Sequence, residues 1–255
     1  MKAMILAAGL GTRLRPLTDD RPKALVTVAG HTLLEITLLR LRSFGACEVI
    51  VNTHHYADMI SRYLRDNSNF GMHIEVSREE VLLDTGGGLK AAASFFLRTD
   101  GGSQEPFILH NVDVISTFDL DRMMRFHVEQ NALATLAVQQ RETSRYLLFD
   151  QHGHLCGRRI GRASQESEKT AELARPAKKL QALAFSGIHI ISPRIFAKMQ
   201  GESVFSIIST YLHLAASEER VLAFRADEYY WRDLGRPESI AQAAVDINNG
   251  MYPIS

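Results

Sequence analysis

The chain has 255 residues, 45% of them hydrophobic, enough for one large α/β domain or two small ones with a sizeable core. Its 29 basic residues balance 29 acidic ones, so no global field favours nucleic acid or an anionic membrane, and basic character must be local. No run of about eighteen apolar residues predicts a membrane span, and Cys47 and Cys156, far apart in sequence, read as reduced thiols of a cytoplasmic protein.

The first predicted element is a buried strand, Ala3-Met-Ile-Leu-Ala-Ala8, an apolar run ended by glycine. A single Lys2 precedes it and a loop follows at once, which does not read as a signal peptide. Gly9 and Gly11 let the backbone turn sharply and bring its N–H groups close to an anion. Arg13, Arg15 and Lys23 add the cations a triphosphate needs, the arginines as planar forks and the lysine as a mobile point charge. Two other phosphate loops do not fit. A dinucleotide fingerprint needs a third small residue where Leu14 stands, and Pro16 and Pro22 oppose an immediate helix. A Walker A loop needs Gly-Lys-Ser/Thr where the chain reads Gly11-Thr12-Arg13.

Further along, Leu33, Leu34, Ile36, Leu38, Leu39 and Leu41 predict a buried helix ending near Gly45, and a strand follows over 48–52. A helix over 56–64, a strand over 73–77, a helix over 89–97 and a strand over 107–111 continue the alternation. Such alternation implies right-handed crossovers and a mainly parallel sheet, with ligands beyond the carboxyl ends of the strands. Gly9 and Gly11, the stretch 52–55 and Asp113 fall at those ends and should converge on one crevice. Asp84-Thr85-Gly86-Gly87-Gly88 precedes the predicted helix, where free N–H groups would meet a base edge, ribose or sugar hydroxyl; a turn capped by Asp84 or Thr85 is the plainer reading. Phe95, Phe96, Met123 and Met124 are expected to pack in the core.

The stretch 141–175 is rich in charge, glycine and small polar residues, with 161–170 its most loop-like part. A helix over 205–216, an edge-type strand over 221–225 and a helix over 237–247 close the chain. His54-His55 and His152-x-His154 lack the spacing of a zinc site and read as ordinary histidines.

The run Leu6-Ala-Ala-Gly-Leu-Gly-Thr-Arg-Leu-Arg-Pro-Leu-Thr18 and Pro22-Lys23-Ala-Leu25 resembles, nearly position for position, the sugar-1-phosphate nucleotidyltransferase signature LAAGxGTRLxPLTxxxPKxL. Leu83-Asp-Thr-Gly-Gly-Gly-Leu89, Phe185-Ser-Gly-Ile188 and Trp231-Arg-Asp-Leu-Gly235 extend the likeness toward short bacterial members that act on N-acetylmuramic acid 1-phosphate with UTP in cell-wall sugar recycling. The resemblance implies an α/β fold: a single Rossmann-like, glycosyltransferase-A-like domain over 1–255, with a mainly parallel central sheet flanked by helices and no β-helix domain. About 1–135 would form the nucleotide-binding half and about 136–255 the sugar-binding half, with 146–149 and 183–190 as strands and 157–176 as a flap.

For the site, the resemblance implies nucleotide contacts from Leu6, Ala7, Ala8, Gly9, Gly11 and Thr12 in the loop. Arg13, Lys23, Gly86, Gly87 and Asn111 would join them, with base contacts from the stretch 77–84. Thr85, Gly88, Ser186 and Gly187 would contact the sugar. Mg²⁺ would be held by Asp113 and Asp233, hard oxygen ligands of the kind this ion takes, although Val112 replaces the usual glycine before Asp113. Arg13, Lys23 and Asp113 would be the catalytic set. The expected partners are UTP and a sugar 1-phosphate, without nucleic acid or membrane, for a monomer or small homo-oligomer. Mannose 1-phosphate with GTP is the rival pair. Two other classes compete: a sensor that binds a sugar nucleotide without turnover, which need not keep both aspartates, and a glycosyltransferase. The latter needs a DxD metal motif; Asp119-Leu-Asp121 has that spacing but lies at a predicted helix start, where capping explains it.

Overall fold

The computed structural model describes residues 1–98, 105–161, 170–199 and 203–254. β1 (Lys2–Leu6) is the expected apolar strand, with Ala3, Met4 and Ile5 fully buried. After the phosphate-type loop, a short ribbon of β2 (Thr27–Val28) and β3 (His31–Thr32) leads into α1 (Leu33–Ser43). Thr32 caps α1 by accepting from the Glu35 N–H while Glu35 reaches back to the Thr32 N–H, a reciprocal box that sets the helix start. β4 (Glu48–Thr53), α2 (Ala57–Asp66) and β5 (His73–Arg78) follow, each close to its predicted position.

The next segment departs from expectation. Instead of one helix over 89–97, α3 (Asp84–Ala91) begins at Asp84 and gives way at Ala92 to α4 (Ala93–Leu97). The three glycines therefore lie inside α3, not before it. Gly86 and Gly87 both donate their N–H groups to the Phe205 carbonyl, at 2.9 and 3.2 Å. Such an approach requires glycine, since a Cβ on Gly87 would stand 2.1 Å from the Ser203 carbonyl oxygen.

β6 (Phe107–Asn111) completes a parallel run in the order β5-β4-β1-β6. Beyond it come β7 (Val114–Ser116), α5 (Leu120–Glu129), β8 (Ala134–Gln139), β9 (Arg145–Phe149), β10 (Leu155–Ile160) and β11 (Thr170–Leu173). The chain then runs through β12 (Gln181–Ile191), α6 (Ile207–Ala216), β13 (Val221–Arg225), β14 (Trp231–Asp233) and α7 (Pro237–Asn248). Asp119 accepts from the Arg122 N–H and caps α5, as the capping reading of Asp119-Leu-Asp121 required. The long β12 joins the two halves, pairing antiparallel with β6, β8 and β9. Its register breaks between Phe185 and His189, where Gly187 has a φ of +76° that favours glycine and bulges the strand. β13 adds to β8 in parallel as an edge. The expected flap at 157–176 starts in β10 and runs through β11, paired with it, to three residues past Leu173, and its centre, 162–169, lies outside the described residues.

Helices cover both faces, which is why the strands are apolar runs without clean alternation. One core contains Ala3, Ile5, Val49, Val51, Ile108 and Met123; the other contains Met4, Leu109, Phe95, Phe96 and Tyr211. Adjacent residues of β1 thus feed opposite cores, and the α/β, glycosyltransferase-A-like class with helices on both faces of a central sheet stands.

Candidate active site

The amino-terminal loop is built from the end of β1. The Ala7 N–H donates to both the carbonyl oxygen and Oδ1 of Asn52, at 3.2 and 2.8 Å, which ties the loop to the end of β4. Gly11 takes the left-handed conformation, φ +66°, and its carbonyl accepts from Thr18 Oγ1 and the Leu14 N–H. Leu14, fully buried, anchors the far side, while Gly9, Thr12 and Arg13 stay exposed. A Cβ on Gly11 would lie 3.2 Å from that of Lys23, so glycine lets the loop fold back over the lysine. Lys23 Nζ contacts Asp113 Oδ2, and both side chains are nearly buried.

Asp113 sits in the turn that joins β6 to β7, where the Val112 N–H bonds the Leu6 carbonyl at 3.2 Å and keeps the turn beside the end of β1. Val112 itself is buried against the core while bordering the cleft, and the next residue, Asp113, lines the same cleft. Asp233 comes from far along the chain. In β14 it pairs opposite Val114, and the Leu234 N–H donates to the Asp113 carbonyl at 2.7 Å. The two aspartates are therefore neighbours across a two-stranded ribbon. Arg13 reaches the same corner: a Cβ on Gly235 would meet Arg13 Nη2 at 2.9 Å and Asp233 Oδ1 at 2.8 Å.

These elements bound a cleft of about 440 Å³, lined among others by Leu6, Ala8, Gly9, Lys23, Asn111 and Asp113. Thr85, Asp84 and Leu82 form the wall opposite, and Thr85 Oγ1 accepts from the Ile207 N–H. Of the strand-end residues expected to converge, Gly9, Asn52 and Asp113 line this cleft, while Gly11 and the residues 53–55 are not among its lining. Glu79, which also lines the cleft, is a residue that the motifs did not single out. It is buried, accepting from Asn52 Nδ2 at 2.6 Å and from the Leu83 N–H at 3.0 Å. It lies in the stretch 77–84 expected to contact the base, and its place just past the end of β5 is a second signal, through the strand-end rule.

Several residues expected to touch a ligand lie off the lining of this cleft. Gly86 and Gly87 offer no free N–H groups, since both serve the Phe205 carbonyl, and Gly88 abuts Asn52 and Glu79; these glycines pack α3 closely and do not line the cleft. Ser186 is fully buried, and its carbonyl accepts from Trp231 Nε1 at 2.8 Å. Gly187 lies against Asn111, where a Cβ would meet Nδ2 at 2.9 Å. Ser186 and Gly187 therefore lie against Trp231 and Asn111 and are not among the residues that line the cleft. Arg141, by contrast, gains importance. Its guanidinium stacks 3.7 Å from the Trp231 ring centroid and donates to the Phe185 carbonyl. Burial pushes its pKa down, and the nearby charge of Asp233 opposes that shift. Nothing in the local sequence marks it, because it reaches β14 through the fold alone.

The aspartates suit a hard divalent cation. Oδ2 of Asp113 faces Lys23 and Oδ1 of Asp233 accepts from the Gly235 N–H; among the described residues, the other oxygen of each takes no protein hydrogen bond. Mg²⁺ typically takes one or two carboxylates and completes its shell with phosphates and water, which this pair permits.

In comparisons with known proteins, the N-acetylmuramate alpha-1-phosphate uridylyltransferase of Caulobacter vibrioides is 32% identical over 253 residues, 93% of each chain. The mannose-1-phosphate guanylyltransferase catalytic subunit beta of Danio rerio is also 32% identical, over 93% of this chain but 62% of that protein's length. In fold, the chain resembles HddC from Yersinia pseudotuberculosis complexed with GMP-PN, with a TM-score of 0.73 at 21% identity, covering 96% of this chain and 99% of that one. The Nucleotidyl transferase family model matches residues 2–250, and with that span the chain, in which Gly9, Lys23 and Asp113 border one cleft and Asp233 lies beside Asp113, belongs to the nucleotidyl transferase family.

Proposed function

We propose that the protein joins UTP to N-acetylmuramic acid 1-phosphate in the cytoplasm, giving the UDP-sugar and pyrophosphate. The observation that carries the chemistry is the contact between Lys23 and Asp113 at the carboxyl ends of β1 and β6, with Asp233 alongside. An oxygen of the sugar phosphate attacks the α-phosphorus, a new P–O bond forms, and the bond to the β-phosphate breaks with its electron pair leaving on pyrophosphate. The nucleophile is already an anion, so no side chain need be one. The protein supplies positioning and charge.

Arg13 and the N–H groups of the 9–12 loop hold the β- and γ-phosphates. Lys23 lies between the α-phosphate and the sugar phosphate and offsets the repulsion of two anions. Asp113 and Asp233 are the residues that would hold Mg²⁺, which when bound would supply Lewis-acid polarisation of the α-phosphate. Asn52 and Glu79 form the floor where the nucleoside sits.

The substrate pair is supported by the Caulobacter relative's activity; the Danio relative makes mannose 1-phosphate with GTP the rival. A panel of four nucleoside triphosphates against N-acetylmuramic acid, N-acetylglucosamine, glucose and mannose 1-phosphates, read by pyrophosphate release, tests it. UTP with the muramic acid phosphate should give the highest kcat/KM. Preference for GTP with mannose 1-phosphate overturns the substrate pair and leaves the reaction. Binding of a nucleotide sugar with no pyrophosphate from any pair overturns the reaction and makes the protein a sensor.

A further inference from the structure

The strand that carries Asp233 is short. β14 has three residues and pairs only with the three of β7, outside the main sheet. A ribbon of that size is marginal by itself, so something else must hold the carboxylate in place. Alternation along β14 sends Trp231 and Asp233 to one face and Arg232 to the other. On that other face is α7, and there Arg232 meets Asp246. Nη2 and Nε of Arg232 approach Asp246 Oδ2 at 2.7 and 2.9 Å. Tyr230 Oη donates to the same oxygen at 2.7 Å, and Gln242 Nε2 donates to Oδ1 at 3.0 Å. Arg232 Nε also donates to Tyr230 Oη at 3.0 Å.

Asp246 is 3% exposed, beside Ile240 and Ala243 on the buried face of α7. A buried carboxylate with every partner satisfied is no more stable than a well-packed apolar side chain, so packing alone does not call for it. Its distinguishing property is directional. It grips the residues on both sides of the Trp231 position, fixing the twist of β14 and hence the direction of Asp233.

We propose that Asp246 is a positioning residue for the metal site, acting through Arg232 and Tyr230 to aim Asp233 at the cation shared with Asp113. This rests on the reading of Asp113 and Asp233 as metal ligands. The test is Mn²⁺ affinity of the full chain, by electron paramagnetic resonance of free Mn²⁺, for wild type, Asp246→Asn, Tyr230→Phe, Asp233→Asn and the core variant Ile36→Val. Loss of a partner hydrogen-bonded directly to a metal ligand weakens metal binding by about 10- to 100-fold; Asp246 acts one residue removed from Asp233, so the expected loss is at the lower end, about 10-fold. Asp246→Asn should show that loss with unchanged far-ultraviolet circular dichroism, and Tyr230→Phe a smaller loss in the same direction. Half-saturating Mg²⁺ for turnover should rise in parallel, while KM for the sugar phosphate at saturating Mg²⁺ should hold. Ile36→Val controls for lost stability and should leave Mn²⁺ affinity unchanged. If Asp246→Asn does not fold, Tyr230→Phe carries the test. Wild-type Mn²⁺ affinity in the folded clamp variants, with affinity lost in Asp233→Asn, overturns the clamp; wild-type affinity in Asp233→Asn overturns the ligand reading beneath it.

Discussion

Lys23 has 13% of its side chain exposed and lies against Asp113, a cation held where two anionic substrates must meet. Charge fixed in advance in a partly dry site costs no reorganisation during reaction, and removing one such group costs about 100- to 1,000-fold in kcat. Lys23→Ala should fall by at least that factor. The substitution also leaves Asp113 without its cation, so the thermal midpoint should drop as well. Circular dichroism and melting therefore accompany the kinetics, and near-normal turnover in a folded Lys23→Ala protein would remove the lysine from the mechanism. Glu79 works differently. It touches neither Lys23 nor Asp113, but its bonds to Asn52 and the Leu83 N–H tie the phosphate loop, through Ala7, to the start of α3.

At the scale of elements, the glycines of α3 make a sharper statement about packing than about ligands. A Cβ on Gly87 would stand 2.1 Å from a backbone oxygen and 2.9 Å from Leu83 Cβ, neither of which can swing aside as a side-chain tip would. Overpacking of this kind costs about 1–3 kcal/mol. At about 2–4 °C per kcal/mol for a chain of this size, Gly87→Ala should melt roughly 2–12 °C below wild type. An unchanged midpoint in differential scanning calorimetry would mean that α3 does not sit against the 203–205 segment. The parallel half was legible because apolar runs such as Ala3 to Ala8 and the residues after Glu48 end at glycine or polar residues, and buried parallel strands read in that way. The start of α3 was not, since glycine-rich sequence has poor intrinsic helix propensity and forms helix here through the Phe205 carbonyl, a partner distant in sequence. β14 is too short for any periodicity, so Asp233 was found through its motif and not through its strand. Arg141 had neither.

For the whole molecule, acid should be the weak side. His110, His127 and His189 are each at most 2% exposed, and burial depresses their pKa values to about 4, 4 and 3. Arg40 adds to the shift at His110, Arg194 at His127 and His110 at His189. In the unfolded chain all three take up protons near pH 6.5. Between that pH and the folded values the unfolded state binds more protons, so folding stability is complete above about pH 6.5 and declines as pH falls. Each histidine contributes a slope of about 1.4 kcal/mol per pH unit, and three together about 4. Typical net stabilities are about 5–15 kcal/mol, and the slope runs over the roughly 2.5 pH units between 6.5 and the folded values near 4, so it suffices to unfold a protein in the lower part of that range. Asp246, held below its ordinary value by Tyr230 and Gln242, adds a loss of the same sign at still lower pH. Melting curves from pH 8 to 4.5 should therefore be flat above 7 and fall steeply below 6. His189→Gln, which keeps a hydrogen-bonding group beside Tyr211 Oη, should reduce the slope by about a third. A midpoint that stays level down to pH 5 would show that these histidines are reached by water or charged within the fold.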